Sequence, residues 1–295
     1  MSNYKSLFFH EALLQQAFQD EKGVLLRKQL HEEYSVPSID LPHWVLNRVE
    51  WRGDEQVLDI GSGPGTYVDE LLTHIALDHY IGGDVSHGMI QAVRQRYSGL
   101  KAGLMDAQAL PFADESFDII LANQVLAYVP DIELALSEIR RVLRRPKGML
   151  VATISSEFTM PEFNTLMQRA VRLLRRGTGE ELNDNAIEYH FSLEQGAALL
   201  SNYFPAVARY DLPSKFIFRD AQPVTDYIES CRPFFEPKLP PTVHWDEFMT
   251  IMADQVRRLV DHFGELEVNK LTGVIIATEA GGFAEAYHQR LKATP

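Results

Sequence analysis

The sequence predicts an α/β fold in which a mostly parallel sheet carries helices on both faces. Three observations predict it. Between residues 56 and 154, short apolar runs alternate with stretches of helical periodicity. Strands linked by helices run parallel, because a helical crossover brings the chain back in the same direction. The first apolar run ends in a glycine cluster, Gly61 to Gly65, the kind of strand-to-helix turn through which a ligand reaches the backbone.

Taken in order, residues 7–34 read as helix, with Leu13, Leu14, Ala17 and Phe18 on one face. Pro37 and Pro42 interrupt it, and a short helix over 44–49 follows. The alternating region gives strands over 56–60, 80–83, 103–105, 117–122 and 149–154. Its helices fall over 66–75, 89–97 and 132–143, the last with Leu134, Leu136, Ile139 and Leu143 as its apolar residues. After Ser155 the alternation stops. Helices are expected over 157–176, 192–204, 225–230 and 245–263, and strands over 207–212, 215–219 and 273–278. The domain organisation expected is a helical segment 1–50, a ligand-binding core 51–155 and a helical cap insertion 156–205. A core strand 206–213, a second cap insertion 214–264 and a C-terminal core strand and tail 265–295 complete it.

A chain of 295 residues with 45 % hydrophobic and 23 % charged residues can bury a sizeable core unaided. Its one cysteine, Cys231, allows no internal disulfide, reads as a small buried filler, and fits a reducing, cytoplasmic location. Neither a signal peptide over Met1 to His10 nor an apolar run of about 20 residues is present, so no membrane association is expected. A net charge of −13 disfavours nucleic acid as partner. The densest basic cluster, Arg140, Arg141, Arg144, Arg145 and Lys147, reads as a solvated helix face with cations near its C-terminus.

The chemistry is concentrated in VLDIGSGPGT, residues 57–66. Two ligand classes use a strand, a glycine turn and a helix in this way: dinucleotides and S-adenosylmethionine (SAM). The dinucleotide pattern places a third glycine at its sixth position, where this chain has Thr66. Asp59 stands two residues before Gly61, so a pyrophosphate would meet repulsion and a ligand bearing an ammonium and a sulfonium would not. Charge complementarity favours SAM. Asp84, in YIGGDVSHGM (80–89), can accept from both hydroxyls of a ribose, and can equally be a helix N-cap. Asp106, in MDAQALPF (105–112), could accept from an adenine amino group, with the Ala107 amide reaching a ring nitrogen. Asn123 and Gln124, at the end of the fourth strand of the alternating run, would lie beside the methionine portion. All four segments fall at carboxyl ends of strands, where doubly wound sheets bind ligands.

These runs, together with ALSEIRRVLRRPKGML (135–150), resemble the class I SAM-dependent methyltransferases over residues 52 to 155. The resemblance implies a Rossmann-like fold with a seven-stranded, mostly parallel sheet, helices on both faces and helical cap insertions. It also implies S-adenosyl-L-methionine as cofactor. Asp59, Gly61, Ser62, Gly63 and Gly65 would line its methionine end, Asp84 with Val85 and Met89 its ribose side, Asp106 and Ala107 its adenine, and Asn123 with Gln124 its methionine carboxylate or amino group. The turn Arg145-Pro146-Lys147-Gly148 departs from the family's usual proline and two glycines, remote from the cofactor. The segment 26–34 is similar to an N-terminal element that closes over the cofactor in some relatives. Arg27, His31 and Tyr34 are therefore either ligand contacts or surface residues of a packing helix.

The activity so implied is methyl transfer to a small-molecule acceptor. No general base stands out: His190 and Tyr128 are candidates, each equally readable as structural. Ten scattered histidines show no metal spacing, and no metal is expected. The aromatic residues of the predicted cap, among them Phe158, Phe163, Phe216, Phe218 and Trp245, belong mostly to a core, and a few could face an apolar acceptor.

Overall fold

The computed structural model describes residues 12–175, 181–183 and 191–279. They form two compact units. A core unit comprises the described residues of Leu41–Glu157, Tyr189–Leu212 and Thr272–Pro295; a helical unit comprises those of Met1–Asp40, Phe158–Glu188 and Pro213–Leu271.

The core unit contains α2 (Leu41–Leu46), β2 (Val57–Ile60), α3 (Val68–Leu71), β3 (Tyr80–Asp84), α4 (His87–Arg96), β4 (Lys101–Leu104), β5 (Ile119–Asn123), α5 (Ile132–Val142), β6 (Met149–Ser155) and α7 (Leu193–Leu200). The helical unit contains α1 (Lys22–Tyr34), β1 (Ser35–Val36), α6 (Pro161–Leu174), α8 (Gln222–Ser230), α9 (Arg232–Phe235) and α10 (Trp245–Phe263). Two long strands, β7 (Ala206–Phe218) and β8 (Leu266–Thr278), give residues to both.

Strand pairing runs β1-β7-β8-β6-β5-β2-β3-β4. Strands β2 to β6 are parallel, and β8 lies antiparallel to β6. The sheet therefore has eight strands rather than seven. The added one, β1, is two residues long and pairs with Phe216 and Lys215, too short for any sequence period to show. From β2 the chain steps outward through β3 and β4, then returns to β5 on the other side. This reversal opens a crevice at the carboxyl ends of β2 and β5.

Local chemistry sets most boundaries. Ser86 caps α4 by accepting from the Met89 amide at 3.2 Å, and Asp131 caps α5 by accepting from Leu134 at 3.0 Å. Gly264, in the left-handed region at φ 84°, ends α10. The buried residues Val57, Tyr67, Val68, Leu71, Tyr80, Leu121, Val151 and Ile276 belong to one core cluster of the core unit. Phe163, Phe216, Phe218, Tyr227, Trp245, Phe248 and Met252 do the same in the helical unit, so most of the aromatic residues assigned to the cap are core. Phe158, by contrast, is 72 % exposed.

Four elements differ from expectation for identifiable reasons. The long N-terminal helix is broken over 18–21. Pro42 stands inside α2 rather than before it, in the first turn, where a missing N–H costs no hydrogen bond. The helix of 66–75 shrinks to α3, because its last turns tighten to i→i−3 bonds at Thr73 and His74. The two strands proposed around Pro213 are one strand, β7, whose neighbour β1 covers only Lys215 and Phe216; proline is accommodated where the strand edge is open. The domain division also differs over 189–205. α7 belongs to the core unit, where Gly196 packs so tightly that a Cβ would stand 2.7 Å from Ile275 of β8.

Among the described residues no helix is long and apolar enough to cross a membrane. Three of the four arginines of the basic cluster are paired: Arg140 with Glu279, Arg141 with Glu138 and Asp114, Arg144 with Asp118.

Candidate functional site

The carboxyl ends of β2, β3, β4 and β5 bring the sequence-predicted residues together. Residues 61–65 leave β2 through a turn in which Gly61, Gly63 and Gly65 have φ of 66°, 54° and 82°, a region that disfavours any side chain. Two of these glycines are also needed for space. A Cβ on Gly61 would stand 2.5 Å from Val125, and one on Gly65 2.8 Å from the Tyr97 ring. At Gly63 a Cβ would meet nothing within 4 Å, so the turn is open at its middle.

Asp84, at the end of β3, anchors this turn. Its Oδ2 accepts from the Gly63 amide at 3.0 Å and its Oδ1 from the Ser86 amide at 2.9 Å. The helix cap is Ser86, so Asp84 is not one. Each carboxylate oxygen retains acceptor capacity beyond these bonds. Burial raises the Asp84 pKa, and the amides of Ser86, Gly63 and Val85 oppose the shift. Asp59 is buried more deeply, 1 % exposed; Tyr80 donates to its Oδ2 at 3.1 Å, while Oδ1 has no hydrogen-bond partner. Burial pushes its pKa up to about 7, with the Tyr80 hydrogen bond acting against the shift and the Asp84 charge adding to it. Ser62 is buried in the same turn.

Around this centre the other predicted residues fall as follows. Val85 is 45 % exposed immediately after Asp84, and Leu104, paired with Asp84 across the strands, is 47 % exposed. Met89 is buried, and its amide serves the Ser86 cap. Asp106 is exposed and accepts from Gln108, and Ala107 is buried. Asn123 Oδ1 accepts from Thr153 at 3.1 Å, leaving Nδ2 buried without a partner. Gln124, at φ 56°, donates its backbone N–H to the Thr153 carbonyl, and its side chain accepts from Ser155. A non-glycine residue in that region is strained, and such strain gathers at functional sites. Tyr128 is half-buried in a single turn after β5. His190 lies outside the described residues.

Several participants were not foreseen from sequence. Tyr80 orients Asp59, Thr153 orients Asn123, and Arg96 and Tyr97 reach the carbonyls of Pro64 and Gly65. The paired glycines Gly82 and Gly83 inside β3 were an available signal, since glycine in a strand marks close approach.

Arg27, His31 and Tyr34 make contacts within the helical unit. Arg27 donates to the Ser230 carbonyl at 2.6 Å, and Tyr34 packs on Phe218. His31 lies against Phe216 and Tyr227, its pKa lowered to about 3 by burial, then by Lys270 and Arg27. Lys270, 7 % exposed, bonds to His31 Nδ1 and to Ser35 and sits 3.7 Å over the Phe216 ring. All three are half-buried on α1, whose one buried residue is Leu30, so their contacts are those of a packing helix.

Two expectations follow. Gly61→Ala, strained by φ and clashing with Val125, should destabilise the chain by at least about 1 kcal/mol in urea unfolding; wild-type stability would show that the turn relaxes. Burial lowers the Lys270 pKa to about 7. Above that value the unfolded chain binds more protons than the folded one, so stability should rise between pH 7 and 9, by at most about 1.4 kcal/mol per pH unit. Lys270→Met should flatten this rise, and an unchanged slope would contradict it.

The comparisons with known proteins bear on the same segment. Residues 58–152 match a family model described as a methyltransferase domain. The chain is 32 % identical over 143 residues to a malonyl-[acyl-carrier protein] O-methyltransferase of Methylococcus capsulatus, covering 48 % of this chain and 49 % of that protein. It is 36 % identical over 119 residues to a demethylmenaquinone methyltransferase of Corynebacterium kroppenstedtii, covering 40 % and 50 %. The chain spans about half the length of the curated relatives it matches. The solved structure of the YcgJ protein of Bacillus subtilis superposes with a TM-score of 0.51 at 19 % identity, covering 80 % of this chain and 97 % of that one, and shows the same fold. Residues 58–152, which hold the glycine turn and the strand ends beside it, are therefore similar to a methyltransferase domain.

Proposed function

We propose that the chain transfers a methyl group from SAM to a small-molecule acceptor by in-line displacement. The observation that carries this reading is the Asp84 carboxylate. It bridges the glycine turn and the start of α4 and keeps acceptor capacity for two ribose hydroxyls, while the turn it holds is open at Gly63. The remaining residues fit the group. The unpartnered Asp59 Oδ1 suits a cationic ligand, and the unpartnered Asn123 Nδ2 suits a carboxylate. Exposed Val85 and Leu104 offer apolar surface for a base, with Asp106 and the Ala107 amide at its polar edge.

When bound, SAM supplies a methyl group on a positively charged sulfur, so the electrophile belongs to the cofactor. The chain's own contribution is positioning and charge. Asp84 fixes the turn, the three glycines let the backbone come close, and the Thr153 and Ser155 contacts hold Asn123 and Gln124 at the crevice. Tyr128, in the single turn after β5, would take a proton from a hydroxyl substrate as its phenolate. The buried, unpaired Cys231 supports a reducing, cytoplasmic location. A second reading rests on the malonyl-[acyl-carrier protein] relative: the acceptor is a small group presented on a carrier protein.

Incubation with methyl-labelled SAM and a cell extract separates these readings. Label in the small-molecule fraction is the expected result. Label confined to protein or RNA would replace the first reading, and SAM binding without S-adenosylhomocysteine would make the chain a binding protein. Asp84→Ala should weaken SAM binding by about 2 kcal/mol, roughly thirtyfold, by calorimetric titration; unchanged affinity would remove Asp84 from the ribose role.

A further inference from the structure

The acid–phenol pair of Asp59 and Tyr80 has a role that the ribose anchor does not explain. The parallel register sets Asp59 opposite Gly82, two residues along β3 from Tyr80, so all three positions share one face of the sheet. Gly82 provides the room: a Cβ there would stand 2.9 Å from the Tyr80 hydroxyl and 3.1 Å from Ser62 Oγ. Tyr80 is wholly buried and donates to Asp59 Oδ2 at 3.1 Å. The other oxygen, Oδ1, is buried without a donor. An ionised carboxylate half satisfied in the interior is costly, and a cation brought beside it removes that cost.

We propose that Tyr80 is a positioning residue for the cofactor, holding Asp59 by Oδ2 so that Oδ1 is kept for a cationic ligand, and that cofactor binding is thereby coupled to loss of the Asp59 proton. The inference rests on the reading that the ligand is SAM. In the free protein burial holds the Asp59 pKa at about 7; of the groups facing it, Asp84 pushes it up and Tyr80 pulls it down. Tyr80 itself is raised well above the ordinary tyrosine value, mainly by burial and then by Asp59, with Tyr97 a minor contributor, so it stays a neutral donor. Binding of a cation favours the carboxylate; the O–H bond of the Asp59 carboxyl breaks and the proton passes to solvent. Affinity therefore rises with pH, by about tenfold between pH 6 and pH 8 for one proton centred near 7.

Tyr80→Phe removes the hydrogen bond that favours the carboxylate. Calorimetric titration of the full chain with SAM from pH 6 to 9 should show weaker binding by the variant at pH 7, a midpoint displaced to higher pH, and convergence with wild type at pH 9. Comparing the two proteins cancels the titration of the ligand's own amino group. Equal weakening at every pH, or a midpoint that does not move, would overturn the inference and leave the SAM reading standing. No SAM binding by the wild type would overturn both. If the variant does not fold, 13C-carboxyl spectra of the wild type decide: an aspartate titrating near pH 7 in the free protein and not in the complex supports the inference, and its absence defeats it.

Discussion

The site depends on one carboxylate bridging two segments of backbone. Asp84 accepts from Gly63 and from Ser86, and the Ser62 amide bonds to the Gly83 carbonyl beside it. Together these bonds tie the turn after β2 to the end of β3. Without them, three glycines in the left-handed region would leave the turn with many conformations and little reason to hold one. Hydrogen bonds from amides to a charged acceptor are stronger than neutral ones. The same carboxylate can then both shape the cradle and hold part of what enters it. Arg96 and Tyr97, from the end of α4, brace the far side through the carbonyls of Pro64 and Gly65.

Much of this was legible in the sequence because its causes are local. The strand before Gly61, the glycine spacing and Asp84 at the next strand end are set by backbone constraints that only a few residue types meet. Ser86, two residues after Asp84, capped α4 as its type suggests. What was not legible depends on register and on distant partners. Tyr80 and Asp59 are 21 positions apart, and only parallel pairing of β2 with β3 makes them neighbours. Asn123 owes its orientation to Thr153, 30 positions on. Arg27, His31 and Tyr34 carried side chains suited to ligand contact, yet their partners, Ser230, Lys270 and Phe218, lie about 200 residues away and bear no mark of it in the local pattern.

The polypeptide crosses between its two units at several points, so a division read along the sequence and one read from the packing follow different boundaries. β7 and β8 are each 13 residues long and belong to the core unit over one part and to the helical unit over the other. A strand pattern reports that a segment is extended. It does not report where the packing around that segment changes, so 189–205 was assigned with its neighbours in sequence and not with β8, against which Gly196 is closely packed.

The pairing of the arginine cluster has a consequence for traffic to the crevice. With Arg140, Arg141 and Arg144 each paired with a carboxylate, these three cations do little to offset the net charge of −13. The far field of the protein is therefore negative and draws positively charged nucleosides inward while slowing the approach of anions. Raising the ionic strength shortens the reach of that field, so the capture rate of a cationic ligand declines with added salt.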